Sequence, residues 1–238
     1  MRRIRVILVK EWRESLHNKM ILLGAIFLPL FMVGAALALV YQGRGADAPG
    51  AQVALFNTAL MYFLILPALI PMAIAVYSIV GEKEQSSLEP LLATPLSDSE
   101  LFLGKALASV LPALVLTWGS FGLFFAVSIP LVGGIPPHAL TAPWLAAIFG
   151  LTPLLSLFSV GVTMLVSSRA TDARAAYQFS SLAILPGIVP LIVYSTQRTL
   201  VSLSLVAVEG AVLLIASVAI MYFAVRTFRR EEILTRWK

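Results

Sequence analysis

The sequence predicts an all-α membrane protein with six transmembrane helices and both termini in the cytoplasm. An amphipathic helix should lie at the membrane interface ahead of the first span, and a short cytoplasmic helix should sit between spans two and three. Composition is the first reason. Of 238 residues, 59% are apolar and 12% charged, whereas a soluble domain carries about 45–50% and about 25%. Mean hydropathy is +0.93, so a lone soluble core would leave too much apolar surface in water. The second reason is the length of the apolar runs, six of which suffice to cross a bilayer. The third is the location of the charges.

A helix needs about 20 mostly apolar residues to span the hydrocarbon layer. The qualifying stretches are 20–41, 53–80, 106–129, 144–166, 175–194 and 200–225, within one transmembrane domain of 1–238. The fifth is the weakest, because Pro186 and Pro190 interrupt it; a partly re-entrant course fits it as well, since membrane proteins tolerate irregular backbone where protein covers it. Of the 17 Lys and Arg residues, all but Arg44 and Arg198 fall on one side. That asymmetry places both termini in the cytoplasm, as in a prokaryotic inner or plasma membrane. Tyr41, Trp144 and Tyr194 mark outer ends of spans, where an aromatic belt is expected. Ala36-Leu37-Ala38 mimics a signal-cleavage site, but it lies inside an apolar run too long for a signal peptide. The net charge of +5 implies no nucleic-acid partner once its distribution is seen, because it marks the cytoplasmic face.

Residues 1–19 plot as a helix with Ile4, Leu8, Trp12, Leu16 and Val9 on one arc and mainly basic residues on the other, Arg5 intruding on the apolar side. Such a helix suits a membrane surface; a plain basic flank that sets topology is the simpler reading.

The loop 81–105 has the opposite character, with five acids against Lys83 and Lys105. Two S-x-x-E boxes, Ser86…Glu89 and Ser97…Glu100, can each cap a helix start. The first opens a short helix in which Pro90 is tolerated and Leu88, Leu91 and Leu92 share a face. Pro95 ends it by disfavouring the α region at Thr94. The second box starts the helix that becomes span three. A leucine face with acidic neighbours suits docking on another protein; lying flat on lipid is the alternative.

The run Gly81-Glu82-Lys83-Glu84-Gln85-Ser86-Ser87-Leu88-Glu89-Pro90-Leu91-Leu92-Ala93-Thr94-Pro95, followed by Gly104-Lys105, resembles the loop after span two in permease subunits of ATP-binding-cassette transporters of the type-2 exporter superfamily. The six-span layout and basic N-terminal helix extend the resemblance along the chain. It implies an ATPase on a separate subunit, docked at a coupling helix through Glu82, Glu84, Ser87, Leu88, Glu89, Leu91 and Leu92. It also implies a second permease copy or paralogue completing a dimer, ATP held by the partner rather than by this chain, and a central pathway lined by spans two and five. Many relatives carry a large external domain after span one. Here that loop is only Gln42–Gln52.

No phosphate-binding G-x-x-x-x-G-K-[ST] loop is present, since Ser99 stands where its first glycine would be and Ala106 follows Lys105. His17 and His138 are far apart, cysteine is absent, and no histidine lies in a span to activate a serine. No metal site, cofactor or catalytic constellation is expected of this chain. Glu209 is the one acid deep in a span, about 14 Å from its outer end at 1.5 Å per residue. A carboxylate there is costly unless paired or protonated. It fits a substrate contact or proton site, and equally a protonated acid bonded to a neighbouring helix. Pro67 and Pro71 in span two match Pro186 and Pro190 in span five, both as P-x-x-x-P. Matching interruptions in inverted halves point to a translocation path lined by these prolines and Glu209; kinks that only shape packing are the alternative. Two functions follow, an ATP-driven exporter subunit in contact with membrane lipid, or a secondary transporter or channel using Glu209.

The topology has a direct check. Single cysteines replacing Gly45, Pro137 or Thr196 should react with an impermeant thiol reagent outside intact cells, whereas Ser97→Cys and Thr171→Cys should stay unlabelled. External labelling of Ser97→Cys would reverse the assigned orientation.

Overall fold

In the computed structural model, the described residues are 2–45, 49–84, 97–136, 138–170, 172–186, 189 and 201–227. The structure is helical, with no strand among these residues. In chain order the main helices are α1 (Arg2–His17), α2 (Lys19–Gly43), α3 (Pro49–Met61), α4 (Leu66–Glu84), α5 (Asp98–Val132), α6 (Ala142–Ala146), α7 (Thr152–Arg169), α8 (Ala173–Ser180) and α9 (Leu203–Thr227). Five helical stretches among the described residues are long and apolar enough to cross a membrane: Lys19–Gly43, Gly50–Gly81, Ser99–Val132, Ala142–Arg169 and Leu203–Arg226. They match spans one, two, three, four and six. Span five is described only through Pro186 and at Val189; Pro190 and the rest of it lie outside the described residues.

Helix starts follow local chemistry. Asn18 ends α1 and caps α2, its side chain accepting from the amides of Met20 and Ile21 at 3.0 and 3.3 Å. The Ser97 box forms as its spacing predicts: the Glu100 amide donates to Ser97 Oγ at 3.2 Å, and the Ser97 amide donates to Glu100 Oε2 at 3.0 Å. From this cap α5 runs unbroken to Val132, where Gly133 takes the left-handed conformation that ends it.

Span two is the buried centre of the molecule, with spans one, three and four packed around it. Its core contacts include Phe56, Phe63, Phe121 and Phe124, whose rings meet edge-on or tilted at 5.3–5.7 Å. Spans one and six lie on the flanks. They leave Leu23, Phe27 and Phe31 of α2, and Val208, Val212, Ile215 and Val218 of α9, largely exposed. Contiguous apolar surface of that extent belongs in lipid, so the chain is an integral membrane protein.

Without water, every backbone group must find a partner inside the protein. Span two breaks into a 3₁₀ turn at Tyr62–Leu64, three residues before Pro67, which has no amide to continue the ladder. Within the Pro67–Pro71 segment the carbonyl of Ala68 accepts from Ser159 Oγ of α7 at 2.6 Å. Span five shows the same device, a 3₁₀ turn at Ser181–Ile184 two residues before Pro186. Span four carries a π turn at Ala147–Leu151. In that register the donor for the Ile148 carbonyl would be residue 153, and Pro153 has none. The carbonyl instead accepts from Thr152 Oγ1 and from the Trp118 indole at 3.3 Å.

Two details differ from the sequence reading. Trp144, expected in an aromatic belt, is 2% exposed and belongs to the core, because α6 turns it inward. Helix α1 buries Ile7 and Glu11, with Ile4 and Leu8 partly covered, while Val9 and Leu16 stay exposed. Its packed edge is therefore rotated away from the apolar arc read from periodicity, because a polar group rather than apolar area fixes it.

Candidate functional site

That polar group is Glu11. Two turns inside α5, Lys105 is 2% exposed and reaches Glu11, which is 3% exposed, with Nζ to Oε1 at 2.8 Å. The same ammonium donates to the Ser78 carbonyl at 2.7 Å and to its Oγ at 3.1 Å. Ser78 Oγ in turn donates to Glu11 Oε2 at 2.6 Å. Both carboxylate oxygens are engaged and three helices meet at one buried ion pair. Breaking such a pair leaves an uncompensated buried charge, which costs about 3–5 kcal/mol. Its specificity therefore exceeds its net stabilisation.

The surroundings are built for the same contact. A Cβ added at Gly104 would meet Ile7 Cγ2 at 2.8 Å and Ile7 Cβ and Cδ1 at 3.0 Å. Glycine is thus what lets α1 lie this close to α5. Trp12 extends the seam, its indole donating to the Ala108 carbonyl at 3.0 Å. Lys10 adds a second, longer ion pair to Glu11, 3.9 Å from Oε1, and lies 3.4 Å from Glu14 one turn on. The Gly104-Lys105 pair, read from sequence as the opening of span three, has two separate duties: close approach and charge.

The position of the cluster matters more than its strength. Ser78 precedes the 81–105 loop and stands one turn from Glu82, and Lys105 is the last residue of that loop. The ion pair therefore fastens the two helical ends of the loop to each other and both to α1. Lys105, counted in the sequence as a loop charge, is a buried structural cation. Glu82 and Glu84 fall in the last turn of α4; Ser87, Leu88, Glu89, Leu91 and Leu92 lie outside the described residues.

The other sequence-derived residues are dispersed. Pro67 and Pro71 are buried in the packed centre, and Pro186 is half-buried. Glu209 is half-buried on α9. Beside it, a Cβ on Gly210 would touch Leu151 at 3.4 Å. Nearby, Ser217 donates to the Leu154 carbonyl at 3.2 Å, tying α9 to α7. Sequence reasoning missed a line of buried hydroxyls on α7: Thr152, Ser156, Ser159, Thr163 and Ser167. Their spacing of three and four was legible as one helix face. Small residues there let α4 and α7 pack closely.

The seam between α1 and α5 can be tested through its glycine. Gly104→Ala should destabilise the protein by about 1–3 kcal/mol through overpacking, read as unfolding in detergent. Ile7→Ala in the same chain should relieve part of that loss. Gly119→Ala, which has nothing within 4 Å, should be neutral or stabilising. A Gly104→Ala protein as stable as wild type would remove the close approach.

Comparison with known proteins agrees with this architecture. No curated protein matches the chain. A family model described as "ABC-2 family transporter protein" matches residues 5–206, from α1 through the start of α9 and including the whole Glu11–Ser78–Lys105 cluster. The chain belongs to the ABC-2 family of transporter proteins.

Proposed function

We propose that this permease is the membrane subunit of an ATP-driven exporter, paired as a dimer with a second copy or a paralogue and coupled to separate ATPase subunits. A permease of this family is a transport component and not itself a catalyst, and the family normally works with an ATPase subunit. The observation that carries the reading is the buried ion pair across the base of the 81–105 loop. A force applied to a loop whose ends are free would be absorbed by the loop. Here, a push at that loop reaches span two through Ser78, span three through Lys105 and α1 through Glu11 at once. In this reading Glu82, Glu84, Ser87, Leu88, Glu89, Leu91 and Leu92 face the ATPase, which binds ATP. Helix α1 rests on the cytoplasmic membrane surface with Val9 and Leu16 toward lipid. The helices broken at Pro67, Pro71, Pro186 and Pro190 line the path with Glu209.

The test lies in the leucine face. A charge at Leu91 would have to be desolvated without a partner in an ATPase groove, weakening binding by roughly 2–5 kcal/mol. Leu91→Asp should abolish stoichiometric co-purification of the co-expressed ATPase in detergent. Pro90→Ala should do less, because proline in a first helical turn removes no intrahelical bond. Retained binding by the Leu91→Asp protein would reject this segment as the coupling element.

A further inference from the structure

A cavity of about 450 Å³ opens between α2, α4 and α8 at the end of the molecule that carries the basic residues. Four polar side chains line it: Tyr77 of α4, and Arg174, Tyr177 and Gln178 of α8. Among the described residues, no hydrogen bond or ion pair occupies the Arg174 guanidinium or either phenol. The nearest acid along the chain, Asp172, spends Oδ1 on capping α8, accepting from the Ala175 amide at 2.8 Å. A second cavity of about 220 Å³ continues inward and shares Ile21, Gly24, Ala73 and Tyr177 with the first. Its walls include Phe27, Leu28, Leu69 and Ile70, all apolar. Gly24 has no atom within 4 Å of where its Cβ would stand, so the passage between the two is open on that side.

The combination has a definite chemistry. Ligand pockets are commonly about 300–1,000 Å³, mostly apolar with a few convergent polar groups. Here, among the described residues, the polar groups are segregated at one end, all of them can donate hydrogen bonds, and the only charge is positive. The apolar end lies at membrane depth along spans one and two. A free anion would use only the outer half, and a neutral hydrocarbon only the inner half. A basic pocket between helices on the basic face of a membrane protein suits an anionic lipid headgroup.

We propose that this site holds one anionic phospholipid, its phosphate on Arg174, Tyr77 and Tyr177 and one acyl chain running inward past Gly24 between Phe27 and Ile70. The proposal does not depend on the ATPase partnership, since it rests on α2, α4 and α8 alone.

The purified full-length protein can be placed in phosphatidylcholine vesicles containing a small fraction of phosphatidylglycerol with a diazirine on its acyl chain. After irradiation, labelled peptides are mapped by mass spectrometry. Labelling should concentrate at Phe27, Leu28, Leu69 and Ile70. It should exceed that from the same probe on phosphatidylcholine by about fivefold, the preference that one basic residue at a membrane surface confers. Arg174→Gln should erase the preference. Gly24→Trp should block labelling by both probes; if that variant does not accumulate, Arg174→Gln decides alone, because its exposed side chain has no packing role. Equal labelling by the two probes would overturn the site as ordinary lipid contact. Displacement of the probe by inorganic phosphate would overturn it in favour of a free-anion site.

Discussion

The buried contact among Glu11, Lys105 and Ser78 is the constraint from which the half of this permease that carries α1 follows. Lys105 is nearly sealed from solvent, yet its ammonium satisfies a carboxylate, a carbonyl and a hydroxyl from two other helices. A charge in such a place forces its surroundings. α1 cannot slide or rotate without leaving an ion unpaired, so its packed edge is the one bearing Glu11 rather than the one richest in apolar area. Gly104 follows as a requirement, because any side chain there would push Ile7 away and lengthen the 2.8 Å ion pair. Span two is held at Ser78, and the two ends of the 81–105 loop become neighbours whatever the loop itself does. Such a pair adds little net stability over an apolar replacement, but it permits one arrangement and penalises the rest.

Toward the middle of the membrane the governing constraint changes from charge to backbone satisfaction. Proline removes donors from spans two, four and five, and the chain responds with 3₁₀ or π turns and borrowed hydroxyls and indoles. Ser159 reaches the Ala68 carbonyl from across the α4–α7 seam, an added contact, because the helical donor to that carbonyl would be the amide of Met72 rather than a proline. Trp118 serves the turn before Pro153. Interruptions of this kind place irregular backbone where protein covers it. Among the described spans the most buried, span two, is also interrupted, so its centre is packed protein.

Much of this was legible in the sequence, and the failures have physical reasons. Apolar runs marked spans one, two, three, four and six because lipid demands length and composition that soluble segments rarely meet. The Ser97–Glu100 box was legible because a cap is local, needing only residues three apart. The breaks at Pro67 and Pro186 were legible for the same reason. Lys105 was misread because its partner Glu11 is distant in sequence, and a lysine at a span boundary looks like any loop cation. Trp144 was misread because periodicity says nothing of which neighbour covers a helix end. The hydroxyl line on α7 kept its helical spacing in plain view, but serine and threonine signal many things, and only packing against α4 gives them one meaning. Leu88, Leu91 and Leu92 remain a proposal drawn from pattern and resemblance.

A double-mutant cycle on Glu11→Gln and Lys105→Met, with unfolding free energies measured on the full-length protein in detergent, reads the central contact most directly. If the pair locks the three helices together, Lys105→Met alone should cost about 3–5 kcal/mol. The double variant should then lose little more than either single one, giving a coupling of about 2 kcal/mol or greater. Costs that add to within about 0.5 kcal/mol would mean that the two residues act independently, and the base of the 81–105 loop would not be fastened by this pair.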